Sequence, residues 1–79
     1  MSLIVSTLKV GESAKILGLS KANKVYRQKL LAMGLTPGTV FQIKRKAPLG
    51  DPIELAVRGF QLSLRKSEAD ILQIERWEE

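Results

Sequence analysis

The sequence predicts a mainly β fold, α+β by content: a small closed barrel of five short strands, with a helix inserted after the first strand and one short helical turn before the last. Three observations predict it. From Thr39 to Leu64 apolar residues alternate with polar ones at period two, the spacing of half-buried strands. Residues 20–34 change to helical spacing. Gly and Pro stand at the junctions between these stretches, where the chain has to turn. Closing such a sheet hides strand edges that would otherwise pair with other chains.

The elements follow in order. "SAKILGL" (13–19) comes after Gly11, and its Ala14 and Ile16 alternate with Lys15 and Leu17, which predicts a short first strand. In "SKANKVYRQKLLAMG", Ala22, Tyr26, Leu30 and Met33 recur on one helical face with Val25 beside them, while Lys24, Arg27 and Gln28 fall elsewhere. Ser20 or Asn23 can cap this helix by accepting a bond from a free backbone N–H. Gly34 stands where the chain leaves it, a position that favours a positive φ. "TPG" (36–38) then supplies a turn.

In "TVFQIKRK", Phe41 and Ile43 share one face, and Val40, Gln42, Lys44 and Lys46 the other; Arg45 then points to the side opposite Lys44 and Lys46, near the barrel rim. Residues 47–51 form a turn. "IELAV" and "FQLSL" follow, joined by Arg58 and Gly59 as a two-residue loop whose turn type stays open, because Arg is not favoured first in a primed turn. That loop pairs Val57 with Phe60, Leu55 with Leu62 and Ile53 with Leu64, all on one face, and a slip of one residue would put polar groups in the core. "SEAD" (67–70) reads as a capping box opening one helical turn, and "ILQIE" as a last strand with Leu72 and Ile74 inward. The expected inward set is Ile16, Tyr26, Leu30, Met33, Phe41, Ile43, Ile53, Leu55, Val57, Phe60, Leu62, Leu64, Leu72 and Ile74.

At 79 residues the chain reads as one domain (1–79), near the lower limit at which a single core suffices. It has no Cys and no His, which removes disulfides, thiolate and imidazole metal sites, and Cys or His catalysis. This fits a reducing, cytoplasmic setting. No apolar run approaches the roughly 20 residues that span a bilayer, and nothing reads as a signal peptide. Net charge is +5 and uneven: residues 1–66 hold 12 Lys/Arg against 3 Asp/Glu, and residues 67–79 hold 1 Arg against 5 Asp/Glu. A basic body with an acidic tail suits an acidic partner, or simply a solvated surface.

The remaining chemistry is sparse, so no enzyme activity and no cofactor is expected. Asp51 sits in a turn, where its carboxylate suits nearby backbone N–H groups, and Glu54 lies on the outer face opposite Ser63. A labile carboxylate metal site is conceivable, but the spacing does not call for one. "GLTPG" and "LGDP" lack the Lys-Ser/Thr and the strand–helix context of a phosphate loop. A small basic barrel can bind single-stranded nucleic acid through exposed aromatics beside cations. Here Phe41 and Phe60 fall on the core face, Tyr26 on the apolar helix face, and Trp77 in the acidic tail.

Protein contact is what remains. Leu31 lies off the main helical stripe, and Leu35, Pro37 and Leu49 stand in turns. Rimmed by Arg27, Lys29 and Lys46, they could form a small apolar patch with a basic edge. Leu31 and Leu35 could equally complete the core beneath the helix. Arg58, Arg65 and Lys66 form a second, basic group, although Arg65 and Lys66 could simply pair with Glu68 or Asp70.

The motifs "RQKLLAMGLTPGT", "APLGDP" and "LSLRKSEA", in that order and spacing, resemble the FeoA family, and "LKVGESAKI" (8–16) resembles its opening strand. The resemblance covers about residues 8–76. It implies an SH3-like barrel with a helical insertion, and a cytosolic accessory role in bacterial ferrous iron transport. The implied partner is the FeoB-type membrane permease, whose cytosolic part carries a GTP-binding domain; the family is thought to modulate that partner rather than carry iron. Transition-metal binding is attached to it only at family level. A related barrel occurs in iron-dependent repressors, but this chain lacks their DNA-binding and metal domains. The competing expectations are a small nucleic-acid-binding barrel and a self-assembling adaptor or homo-oligomer. Direct membrane insertion is not expected.

Overall fold

The sheet order is set by two hairpins and a return of the chain across the first strand. In a computed structural model describing residues 3–21 and 23–78, the elements run as a 3-10 turn (Val5–Thr7), β1 (Ser13–Leu19), α1 (Lys24–Ala32), β2 (Val40–Lys46), β3 (Ile53–Val57), β4 (Phe60–Leu64), α2 (Lys66–Ala69) and β5 (Leu72–Arg76). All pairings are antiparallel, in the order β4-β3-β2-β1-β5. β4 and β5 are the two ends of this sheet, and the chain is nearly equidimensional, 28 × 28 × 26 Å, as the expected small barrel requires.

The β3–β4 register is the one the alternation demands: Val57 faces Phe60, Leu55 faces Leu62 and Ile53 faces Leu64. Arg58 has φ 46° and Gly59 φ 89°, so the loop is a type I′ turn, whose twist matches that of the strands it joins. A Gly59→Ala substitution puts a Cβ into this left-handed position. It is expected to cost about 1 kcal/mol, read as a lower urea midpoint with an unchanged m-value.

Asn23, not Ser20, caps α1: its Oδ1 accepts the Tyr26 N–H at 3.0 Å. Ala22 lies outside the described residues. At the other end Gly34 has φ 92°; the Gly34 N–H donates to the Leu31 carbonyl at 3.1 Å and the Leu35 N–H to the Leu30 carbonyl at 3.0 Å. This double bond pattern is a Schellman end. It folds the residue after the glycine back under the helix, against the residue five before it. Leu30 and Leu35 are both 0% exposed.

The core contains all of the expected inward set except four residues. Tyr26, Met33 and Leu62 are half-buried, and Phe60 is exposed at 43%. Phe60 is the first residue after the hairpin turn. Alternation gives its face correctly but not its depth, and at the barrel rim little covers that face. Val25 is exposed rather than packed beside the helical stripe. The core also takes Val5, Leu8, Ala14, Leu19, Leu35 and Ala69.

Two further corrections concern charge. Between Ile43 and Arg45 the β2–β3 register shifts: Ile43 faces Leu55, Arg45 faces Glu54, and Lys44 is the extra residue of a bulge. The bulge inverts the phase beyond it. Arg45 therefore joins Glu54 on the outer face, while Lys46 takes the phase of Ile53 and donates its ammonium to the carbonyls of Ser6 (3.2 Å) and Leu8. The second correction is at α2, whose N-cap is Arg65 rather than Ser67. Glu68 reaches back to the Arg65 N–H at 3.1 Å, and Asp51 Oδ1 accepts the Lys66 N–H at 3.0 Å. Asp51 has the expected role towards a backbone N–H, but that N–H belongs to a helix distant in sequence.

Strand edges are treated unequally. The outer edge of β5 is closed by Leu3, which exchanges main-chain bonds with Ile74 at 2.8 and 3.1 Å. The far edge of β4 takes no such bonds among the described residues, so the barrel does not hide every edge.

Candidate partner-binding surface

Surface contacts can only be made by residues the core leaves out, and the fold sorts the candidates on that basis. Leu35 is fully buried, so it belongs to the core and not to a patch. Leu31 is half-buried and packs against the same core. Lys46 is committed to the carbonyls of the N-terminal segment and does not rim a patch. Pro37, Leu49, Arg58, Arg65 and Lys66 are exposed, Leu49 to 95%.

Local chemistry explains where these stand. Residues 36–39 form a turn closed by the Thr39 N–H and the Thr36 carbonyl at 3.1 Å; Pro37 sets its first corner and Gly38, with φ 90°, its second. The turn is pinned to β1 because the Gly38 N–H donates to the Ile16 carbonyl at 2.7 Å. Residues 47–50 form another turn, closed by the Gly50 N–H and the Ala47 carbonyl at 2.7 Å, and Leu49 occupies its tip. The Asp51–Pro52 peptide that follows is cis.

Two groupings result. In the first, the Arg58 guanidinium donates to the Thr39 hydroxyl at 3.2 Å, which joins the β3–β4 hairpin to the Pro37 turn. The Phe60 ring stands beside Gly34, where an added Cβ would lie 3.9 Å from its Cζ. Pro37, Arg58 and Phe60 thus belong to one neighbourhood. Phe60 was not among the sequence-derived contact candidates; its position directly after a two-residue turn was the available signal.

The second grouping surrounds α2. Lys29 on α1 donates to Glu68 Oε2 at 2.5 Å, so neither Arg65 nor Lys66 takes this carboxylate through its side chain. Asp70 accepts the Ser6 N–H at 3.2 Å. The Glu68 carboxyl is 5% exposed as a residue, and its pKa lies below the ordinary value, held down first by the Lys29 ammonium and then by the Arg65 N–H. Lys29 is therefore a structural cation as much as a surface one. The Arg27 Nε is buried and has no hydrogen-bond partner among the described residues.

Other chemistries find little support. Among the described residues no cluster of three or more acidic side chains could hold a metal ion. The cleft lined by Arg45, Ala47, Pro48, Pro52 and Glu54 is about 240 Å³, below the range of typical small-molecule sites. Among the described residues no helix is long and apolar enough to cross a membrane. Of the aromatics, Phe41 is buried, while Trp77 carries the Lys15 ammonium over its ring at 5.3 Å.

Comparison with known proteins agrees with the fold. The FeoA domain model matches residues 4–76. The chain is 30% identical over 71 residues to the Fe(2+) transport protein A/Fe(2+) transporter FeoB fusion protein of Porphyromonas gingivalis, covering 90% of this chain but only 8% of that protein. It is similar to an NMR structure of a FeoA-like protein from Clostridium acetobutylicum, with 40% identity, TM-score 0.89, and coverage of 99% of this chain and 90% of that one. It is also similar to the zinc complex of Stenotrophomonas maltophilia FeoA, described as an SH3 domain protein, with 27% identity, TM-score 0.78, and coverage of 95% and 89%.

Proposed function

Because this chain belongs to the FeoA family, we propose that it is a non-enzymatic, cytosolic accessory protein of ferrous iron uptake that binds and modulates the cytosolic part of a FeoB-type permease. The observation that carries this reading is the Porphyromonas gingivalis relative, in which a FeoA part and a FeoB transporter share one polypeptide. Fusion of two parts supports a working contact between them. A basic surface with exposed Pro37 and Arg58 on short pinned turns, and Phe60 at the start of β4, suits such a contact: turns held by a rigid scaffold lose little freedom on binding. The contact set we propose is Pro37, Arg58, Arg65, Lys66 and Leu49, with Phe60 added, and with Arg27, Lys29 and Leu31 as secondary members.

Deleting the chain is expected to lower ferrous iron uptake, and the chain is expected to co-purify with the permease. Normal uptake in the deletion strain together with no co-purification would refute the reading.

A second reading, a nucleic-acid-binding barrel, is favoured by one observation: Phe60 is exposed and follows Arg58 closely. It requires binding to single-stranded RNA that falls steeply as salt rises, through release of counterions. The other exposed large ring, Trp77, already carries the Lys15 ammonium and lies in the acidic tail, so it and Phe60 make a poor stacking platform and no binding near physiological salt is expected.

A further inference from the structure

We propose that the open edge of β4 is a strand-addition site for an extended, acid-flanked segment of a partner protein. In a two-residue hairpin, Val57 and Phe60 exchange main-chain bonds across the turn, and so, by alternation, do Leu55 with Leu62 and Ile53 with Leu64. The main-chain groups of Gln61 and Ser63 therefore point away from β3. They take no hydrogen bond from the protein among the described residues, and both side chains are exposed. The equivalent edge of β5 is covered by Leu3. An uncovered edge is a template for another strand.

Charge selects the occupant. Cations stand at both ends of β4, with Arg58 before it and Arg65 and Lys66 after it. Among the described residues the salt bridges join Lys29 to Glu68 and Arg76 to Glu12, so none of these three cations is held in an ion pair, although Glu68 lies near Arg65 and Asp51 binds the Lys66 N–H. An added strand bearing Asp or Glu at its ends would meet cations at both. A second copy of this chain is disfavoured by the same feature. Pairing β4 with its own copy, Gln61 opposite Ser63, sets Arg58 opposite Lys66 at both ends of the ladder, and like charges facing each other are destabilising. Phe60, exposed at the turn end, offers the incoming strand an apolar contact.

This inference rests on the partner-binding reading in taking another protein as occupant, and it specifies how that protein is held. The test uses the full chain and a synthetic peptide with a Thr-Val alternating centre and Glu-Glu at each end, followed by backbone amide NMR and hydrogen exchange. The expected result is protection of the Gln61 and Ser63 amides, lost on raising salt and absent for the same peptide with Lys-Lys ends. Ser63→Pro removes an outward N–H, a change edge strands accept. It should keep the circular dichroism spectrum and weaken peptide binding about tenfold or more; Gln61→Pro is the second variant if Ser63→Pro does not fold. Protection elsewhere, equal binding of the Lys peptide, or undiminished binding by a folded Pro variant would overturn the proposal. If the detergent-solubilised permease binds wild type and the folded Pro variant equally, the strand-addition site is wrong and the accessory reading stands. If the peptide protects the edge but the permease does not bind, the reverse holds.

Discussion

Leu35→Glu is expected to abolish the folded state. Leu35 is 0% exposed and sits under the end of α1, where its N–H completes the helix terminus by bonding the Leu30 carbonyl. A carboxylate there has no partner, and burying an unpaired charge costs several kcal/mol even after relaxation. A chain of this size has on the order of 5 kcal/mol to lose. Even Leu35→Ala should cost about 3 kcal/mol, from lost transfer energy and the cavity left behind. Circular dichroism on heating should show no cooperative transition for the Glu variant and a lowered midpoint for the Ala variant. A Leu35→Glu protein that melted like wild type would mean that this side chain is not core. Loss of partner binding in this variant would carry no information about contact; Pro37, Leu49 and Arg58 are the positions to vary for that purpose.

Glu68 is the second sensitive position. Its carboxylate joins α1 to α2 by accepting from the Lys29 ammonium and holds the start of α2 through the Arg65 N–H. Glu68→Ala leaves that N–H without its acceptor and Lys29 without its acid. The expected loss is about 2–4 kcal/mol, read from the urea midpoint near neutral pH. The sign of the pH dependence follows from the lowered pKa. The carboxylate's contribution is complete above the unfolded-state value of about 4.5 and fades as pH falls through the lower folded-state value. Wild type should lose stability on acidification across that window, and Glu68→Gln should lose less over the same range. Equal acid sensitivity in the two proteins would remove Glu68 as the source.

Much of the fold was legible because hairpin register and side-chain period agree. Val57, Leu55 and Ile53 could face only Phe60, Leu62 and Leu64, and "TPG" could only turn. The misreadings have local physical causes. A one-residue bulge at Lys44 leaves no mark in an alternating pattern of cations, yet it exchanges the faces of Arg45 and Lys46. Leu35 looked like a turn residue because helical period ends at Gly34. The Schellman bond pair, which tucks it under Leu30, is legible only to a reader who treats the apolar residue after a terminating glycine as part of the helix. Val5 and Leu8 carry no period at all; they are core because a short 3-10 turn packs there, secured by Lys46 and by Leu3 bridging β5. Phe60 was assigned the right face and the wrong depth. The candidate surface was therefore half legible: Lys29, Arg58, Arg65, Lys66 and Pro37 stand exposed, whereas Arg27 is half-buried, Lys46 is committed to main-chain carbonyls, and the apolar members divide between the core and the exposed tip at Leu49.

The central claim is that this chain works by holding a FeoB-type permease through the basic surface around β4. The most direct measurement is a titration of the wild-type chain and of Arg58→Glu into the detergent-solubilised permease, loaded in turn with GTP and GDP. The account predicts saturable binding by wild type in at least one nucleotide state. It also predicts binding about tenfold weaker for Arg58→Glu, since the substitution reverses an exposed charge at the rim, with the fold retained and a melting temperature lowered slightly by loss of the Thr39 hydrogen bond. No saturable binding by wild type in either state, or equal binding by the two proteins, would contradict it.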